Sequence, residues 1–272
     1  MLKTEMRNPN TKNIDKMSSL EITRIMNQEN FNAVKAVETE LENISSAIDV
    51  ITESFSKGGR LFYIGAGTSG RLGVLDASEC PPTFGVDYNK VIGIIAGGDK
   101  ALRKASEGGE DALEAGIAEL EKYQLTKDDV VCGISAAGGA AYVVGAIEFA
   151  NSLGCKTIGI TSNRNSRLDV ISRISIFTDT GPEVITGSTR LKAGTAQKLV
   201  LNMLTTGAMI KSGYVYENLM INLKPTNIKL KNRMIGIVCE LANCDEDIAE
   251  TSLSQSGWDI RKAVMSINKI PL

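Results

Sequence analysis

The chain of 272 residues contains no histidine. That absence removes the commonest general base and the commonest transition-metal ligand, and it excludes a Ser-His-Asp hydrolase outright. Acid–base chemistry must come from carboxylates, lysines, tyrosines or cysteines. Aromatic residues make up only 5% of the chain, too few for the stacking platforms that hold single-stranded nucleic acid. The formal net charge is -2 with no basic stripe, which argues against any nucleic-acid partner. No apolar run reaches the roughly 20 residues of a bilayer span. The longest, 199–210, is interrupted by Asn202, Thr205 and Thr206, so no membrane partner is expected. Met1-Leu2-Lys3-Thr4-Glu5 is polar and lacks the apolar centre of a secretory leader. With it goes an odd count of cysteines (Cys80, Cys132, Cys155, Cys239 and Cys244), and the two together predict a reducing, cytoplasmic setting. Cys239 and Cys244 lack a second pair at zinc-site spacing, so neither a metal nor a cofactor is expected.

What is present reads as an ordinary globular α/β chain, 43% apolar and 23% charged, long enough for one large domain and an appendage. Ser18-Ser19-Leu20-Glu21 has the form of a helix start, a serine cap followed by a glutamate. Between Asn30 and Lys57 the residues Val34, Val37, Leu41, Ile44, Ile48 and Ile51 recur every three or four positions. The spacing predicts one amphipathic helix, ended by Gly58-Gly59. Five short apolar runs follow: Leu61–Ile64, Val91–Ala96, Val130–Ile134, Thr157–Ile160 and Ile174–Phe177. Helical patterns over Ser69–Ser78, Ala112–Lys122 and Ala141–Leu153 separate the first four. Apolar strands alternating with helices predict a parallel sheet covered on both faces. Leu191–Lys211 is apolar almost all round and predicts a buried helix. Beyond Lys224-Pro225, residues 227–242, 245–254 and 258–268 read as three short helices. The expected organisation is an N-terminal helical segment (1–50), a central α/β domain (51–216) and a C-terminal helical module (217–272).

The first strand runs into Gly65-Ala66-Gly67-Thr68-Ser69-Gly70-Arg71. The glycine spacing matches a dinucleotide fingerprint, which needs an acid about 20 residues on at the end of the next strand. Asp99 lies too far along and Asp87 precedes that strand, and no Gly-Lys-Ser/Thr completes a nucleotide P-loop. What remains is a helix N-terminus with hydroxyls at Thr68 and Ser69, a cradle suited to a phosphate monoester or a simple capped turn. Downstream, Asp76-Ala77-Ser78-Glu79-Cys80-Pro81-Pro82 predicts a helix ending at two prolines, with Glu79 at its end beside a rigid loop. Glu107-Gly108-Gly109-Glu110-Asp111 is a second acidic cluster before a helix, where acids also serve as ordinary dipole partners.

These runs in this order resemble the N-acetylmuramic acid 6-phosphate etherases: Thr4-Glu5-Met6-Arg7-Asn8-Pro9, the stretch from Gly65 through Gly85, Glu107–Asp111, Gly181–Thr195 and Asn222–Asn227. The resemblance covers the chain from about Thr4 to the C-terminal helices. It implies a sugar-isomerase (SIS) fold, flavodoxin-like, with a five-stranded parallel sheet in a three-layer sandwich. It also implies a homodimer acting in cell-wall sugar recycling. The implied reaction converts N-acetylmuramic acid 6-phosphate and water to N-acetylglucosamine 6-phosphate and D-lactate. Glu79 matches the acid that protonates the departing oxygen, and Glu110 the glutamate that handles the proton at C2.

The turn Ser135-Ala136-Ala137-Gly138-Gly139-Ala140 departs from the resemblance. Ala137 and Ala140 stand where hydroxyls are usual, and Gly139 where an arginine is frequent. Ser135, Gly138 and Gly139 can still offer a phosphate backbone donors. Ser188 and Thr189 precede the long helix and complete the sugar or phosphate site or cap that helix. Lys192, in the same turn, is a phosphate partner or a solvated lysine. Two alternatives stay open: an aldose–ketose isomerase on the same fold, and a non-catalytic sugar-phosphate sensor akin to glucokinase regulatory proteins. A sensor has no need of the pair Glu79 and Glu110.

Overall fold

A computed structural model describes residues 2–104 and 108–268. Short 3-10 turns lead into α1 (Ser19–Glu38), which opens on a capping box between Ser18 and Glu21. The amphipathic stretch predicted as one helix is two, because α2 (Leu41–Ser56) begins after a break at Thr39 and Glu40. The buried Glu40 carboxylate is held there by Arg164 at 3.2 Å and Asn43 at 2.7 Å. A distant anchor of that kind leaves no mark on local periodicity.

The sheet and its helices follow in alternation: β1 (Leu61–Gly65), α3 (Gly67–Phe84), β2 (Val91–Ile95), α4 (Lys100–Arg103), α5 (Leu113–Glu121), β3 (Val130–Ile134), α6 (Ala141–Ser152), β4 (Lys156–Thr161), α7 (Arg167–Ile171), β5 (Ile174–Phe177) and α8 (Lys192–Lys211). All strand pairs are parallel, in the order β2-β1-β3-β4-β5. Alternate residues of β1 serve opposite faces, as a two-residue period requires. Leu61 and Tyr63 join a core made with α1, α2, α3 and α8, and Phe62 and Ile64 join one made with α5, α6 and α7. The result is the expected three-layer sandwich. Because α1 and α2 share the first core with the sheet, and α2 runs through residue 50, the N-terminal helices pack as part of the central body. The C-terminal helices α9 (Ile228–Ala242), α10 (Glu246–Gln255) and α11 (Ile260–Asn268) enclose their own core around Met234, Val238, Leu253 and Ile260.

Two further expectations need correction. α3 does not stop at Pro81 and Pro82 but runs through them to Phe84, ending on Gly85 in the left-handed region. The prolines remove the N–H donors that would have met the carbonyls of Ala77 and Ser78, a cost of about 3 kcal/mol in an ordinary helix. Tertiary contacts offset it: Pro81 and Phe84 are buried, and Gly85 sits so close to Asn222 that a Cβ would lie 1.9 Å from its carbonyl oxygen. α8, in turn, is not buried all round. Asn202, Met203, Thr206 and Ile210 are exposed, and part of this face forms a shallow apolar groove with Leu41, Ile44 and Ile48 of α2.

Candidate functional site

The chain leaves β1 toward β2 on one side and later returns to place β3 on the other. The loops after β1 and β3 therefore flank the point where strand order reverses, the usual binding crevice of a doubly wound sheet. Gly65 pairs with Ile134 across this crevice, so the Gly65–Gly70 and Ser135–Ala140 turns stand side by side.

Local sterics fix the first turn. A Cβ on Gly65 would lie 2.6 Å from the Gly70 nitrogen, and one on Gly70 would lie 2.6 Å from the Gly65 oxygen. Only glycines allow strand and helix to approach so closely. Gly67 has φ of +54° and open space around it. No side chain caps α3, so the first-turn N–H groups of Gly67, Thr68 and Ser69 have no helical acceptor, an arrangement that can receive an anion. The Ser69 hydroxyl is spent elsewhere, donating to Gln197 Oε1 of α8 at 2.9 Å. Of the two hydroxyls, Thr68 is the one left to face a ligand. The Gly70 N–H returns to the Ala66 carbonyl at 3.3 Å.

The second turn is built from beneath. The Gly138 N–H donates to both oxygens of Ser135 at 3.0 Å, with Gly138 at φ +73°. The Ala136 carbonyl accepts from the Ser162 N–H at 2.9 Å and from Asn163 Nδ2 at 3.0 Å. Asn163 also donates to Thr4 Oγ1 at 3.0 Å, which brings the N-terminal arm under the turn. Gly139 is exposed, with no atom within 4 Å of a Cβ. The residue where the resemblance expects an arginine therefore faces open space.

Ser188 and Thr189 lie in the loop that leads into α8. Thr68 Cγ2 and the Thr189 oxygen lie 3.3 and 3.4 Å from the same Cβ position on Gly194, so the start of α8 abuts the start of α3. Lys192 overturns both readings made for it. It is neither solvated nor free for a phosphate. At 1% exposure its Nζ lies 2.5 Å from Glu29, whose carboxylate also accepts from Asn8 and Asn10 at 2.9 Å each. Burial pushes the Glu29 carboxyl up, but the hydrogen bonds from Lys192 and the two asparagines hold it below its ordinary range. Buried Glu183 accepts the N–H groups of Lys192 and Ala193 at 3.0 and 2.9 Å, and it caps α8 in place of a ligand. Burial pushes its carboxyl up against those two bonds. Glu29, Glu183 and Gln197 had no local signal, since each acts on a residue chosen by the tertiary fold.

The two glutamates sit on different elements. Glu110 lies on the exposed 3-10 turn Gly109–Asp111, which packs against α6. Gly116, in the helix that follows, nests against the Tyr142 carbonyl at the start of α6. The turn that carries Glu110 thus packs on α6, the helix that follows the Ser135–Ala140 turn, while Glu107 of the same motif lies outside the described residues. Glu79 is exposed on α3, 12 residues after Gly67. At 1.5 Å per residue that is about 18 Å along the helix from the Gly65–Gly70 turn. Asp76, one turn before Glu79, is buried against α8. Burial raises its carboxyl pKa against the pull of Thr205 Oγ1 at 3.0 Å and Lys198 Nζ at 3.5 Å. Among the described residues, no group of three or more potential ligands could hold a metal ion, and no helix is long and apolar enough to cross a membrane.

The parallel five-stranded sandwich with a glycine turn at its switch point is a doubly wound α/β protein of the kind that includes the sugar-isomerase (SIS) domains. Residues 43–151 match the glucokinase regulatory protein N-terminal SIS domain, and residues 114–207 match the SIS domain. Among solved structures, a Bacteroides fragilis protein described as a phosphosugar isomerase involved in capsule formation aligns with 74% of this chain and 95% of its own, at a TM-score of 0.56 and 22% identity. A phosphoheptose isomerase of Francisella tularensis aligns with 72% of this chain and all of its own, at 0.52 and 16%. These likenesses speak to the fold. The N-acetylmuramic acid 6-phosphate etherase of Actinobacillus pleuropneumoniae is 52% identical over 264 residues, 97% of this chain and 87% of that protein. The etherase of Clostridium botulinum is 51% identical over 266 residues, 98% and 88% of the two chains. The chain belongs to the N-acetylmuramic acid 6-phosphate etherase family.

Proposed function

We propose that the protein cleaves the D-lactyl ether of N-acetylmuramic acid 6-phosphate, a carbon–oxygen lyase reaction of cell-wall amino-sugar recycling, and that two copies assemble each active site. The chemistry needs both glutamates. In the ring-opened sugar the C2 proton is α to an aldehyde. Glu110 removes it, the C3–O bond breaks as Glu79 protonates the departing oxygen, and D-lactate leaves with an unsaturated aldehyde behind. Water then adds at C3 with Glu79 as base, and a proton returns to C2 to give N-acetylglucosamine 6-phosphate. Such acid–base assistance is worth about 10²–10⁴-fold per group.

The observation that carries the two-copy reading is the separation of Glu79 from the cradle along α3. C2 and C3 are bonded neighbours, and each proton must lie within about 3.2 Å of its carboxylate. A single chain that holds phosphate at Gly67–Ser69 and base at Glu110 keeps its own Glu79 out of reach. A second copy supplies it. Leu75, one turn before Glu79 on α3, is 45% exposed, and Phe31, Val34, Leu41, Met203 and Ile210 expose further apolar surface on α1, α2 and α8, suited to cover by a homodimer partner. The phosphate is held by the N–H groups of Gly67–Ser69 with Thr68, aided by Ser135, Gly138, Gly139, Ser188 and Thr189. Five free thiols fit a cytoplasmic, reducing setting.

The test is D-lactate release from N-acetylmuramic acid 6-phosphate by the purified protein. Release above the uncatalysed rate supports the etherase reading. A folded protein that binds the sugar phosphate and releases nothing overturns it in favour of a sensor.

A further inference from the structure

The lactyl group carries a carboxylate on the carbon that bears the ether oxygen. An acid placed at that oxygen does nothing to attract the carboxylate, so a cation must stand close to Glu79. The seam between α3 and α8 provides one. Lys198 Nζ lies 3.5 Å from Asp76 Oδ1, with the lysine side chain 34% exposed. That separation is long beside the 2.7–2.9 Å typical of a charge-assisted hydrogen bond. The other Asp76 oxygen accepts from Thr205 at 3.0 Å. The ammonium therefore stands partly exposed with bonding capacity to spare. Glu79 follows Asp76 by one turn, which puts their Cβ atoms about 5–6 Å apart. The Cys80 thiol sits amid all three groups. Burial and then Asp76 push it up to about 12, while Lys198 pulls it down and Glu79 pushes it up. The three other cations on these helices are engaged: Arg71 donates to the carbonyls of Ala101 and Leu102, Lys192 is paired with Glu29, and Lys211 is paired with Asp49.

We propose that Lys198 binds the carboxylate of the lactyl leaving group and so selects a lactyl ether over an uncharged one. The assignment rests on the etherase reading and names the specificity determinant of the same site. The experiment compares the natural substrate with its lactamide analogue, in which the carboxylate is a carboxamide. For K198M, kcat/KM on the natural substrate falls about 10- to 150-fold, the range of one charge-assisted hydrogen bond. On the lactamide, variant and wild type converge, and K198R recovers part of the loss on the acid. Equal losses on both substrates, or no loss on either, overturn the assignment. Product inhibition of the wild type gives a second reading that needs no variant. D-lactate inhibits at concentrations at least tenfold lower than D-lactamide, and equal inhibition overturns the role of Lys198. A wild type that releases no lactate brings down the etherase reading and this assignment together. A wild type that releases lactate without discriminating acid from amide brings down the lysine alone.

Discussion

If Glu79 of one copy serves the cradle and Glu110 of another, two inactive variants restore one another. Take E79Q and E110Q, each carrying a different affinity tag, and isolate the mixed dimer. One of its sites has both glutamates altered. The other joins an intact Glu110 from the first chain to an intact Glu79 from the second. The mixed dimer then runs at about half the wild-type rate, and an unsorted equal mixture at about a quarter, since half of its dimers are mixed and each has one working site. The contrast is large, because either variant alone loses about 10²–10⁴-fold. The 12-residue run of α3 between Gly67 and Glu79, about 18 Å, is the observation from which this outcome follows. A reciprocal control sharpens it further. Wild type paired with the E79Q/E110Q double variant has no complete site when the glutamates act in trans, and one complete site when they act within a chain. Half activity in that control, with none in the E79Q and E110Q pairing, refutes the shared site.

Other outcomes follow from groups already placed. K192M leaves the Glu29 carboxylate buried without its cation and destabilises the protein by about 3–5 kcal/mol, the usual cost of breaking a buried pair from one side. Denaturant unfolding reads this, and K192M/E29M together lose less than K192M alone. G138A forces a side chain onto φ +73° with its Cβ 2.1 Å from Ser166 Oγ and lowers the melting temperature, whereas G139A, with open space around it, leaves stability within about 0.5 kcal/mol. If that turn holds the phosphate, G139A raises KM all the same, and an unchanged KM removes the turn from the site. Burial pushes the Asp129 carboxyl up, but Arg60 and the Thr126 N–H hold it below the ordinary value of 3.8. A folded pKa below the unfolded one gives stability that is complete above the unfolded value and lost as pH falls through the folded one. Unfolding measured from pH 5 downward loses that contribution below about pH 4, and D129N flattens this part of the curve; an unchanged curve refutes the role given to Asp129.

The sheet and most helices were legible because their signals are local. Ser18 and Glu21 satisfy each other's backbone within one turn, and the two-residue period of Leu61–Ile64 sorts those side chains between two cores. The misreadings share a cause, which is that a distant partner decided the outcome. Pro81 and Pro82 carry a local signal to stop, outweighed by packing around Phe84 and Asn222. Lys192 looked like a solvent or phosphate cation because its partner, Glu29, lies 163 residues away. The same logic governs the site. The Gly65–Gly70 turn could be read directly, since a strand entering a helix at close range needs glycine wherever a Cβ would collide. Glu79 and Glu110 could be named through the family resemblance, yet nothing in their spacing along the chain says whether they can meet. That answer comes from the rise of α3, which carries Glu79 away from its own cradle as surely as it fixes Ser69 against Gln197. A helix start can bind the anion and its far end can present an acid, and on the two-copy proposal they serve different sugars. In that proposal, the separation that keeps Glu79 from its own chain's cradle is what suits it to a neighbour's.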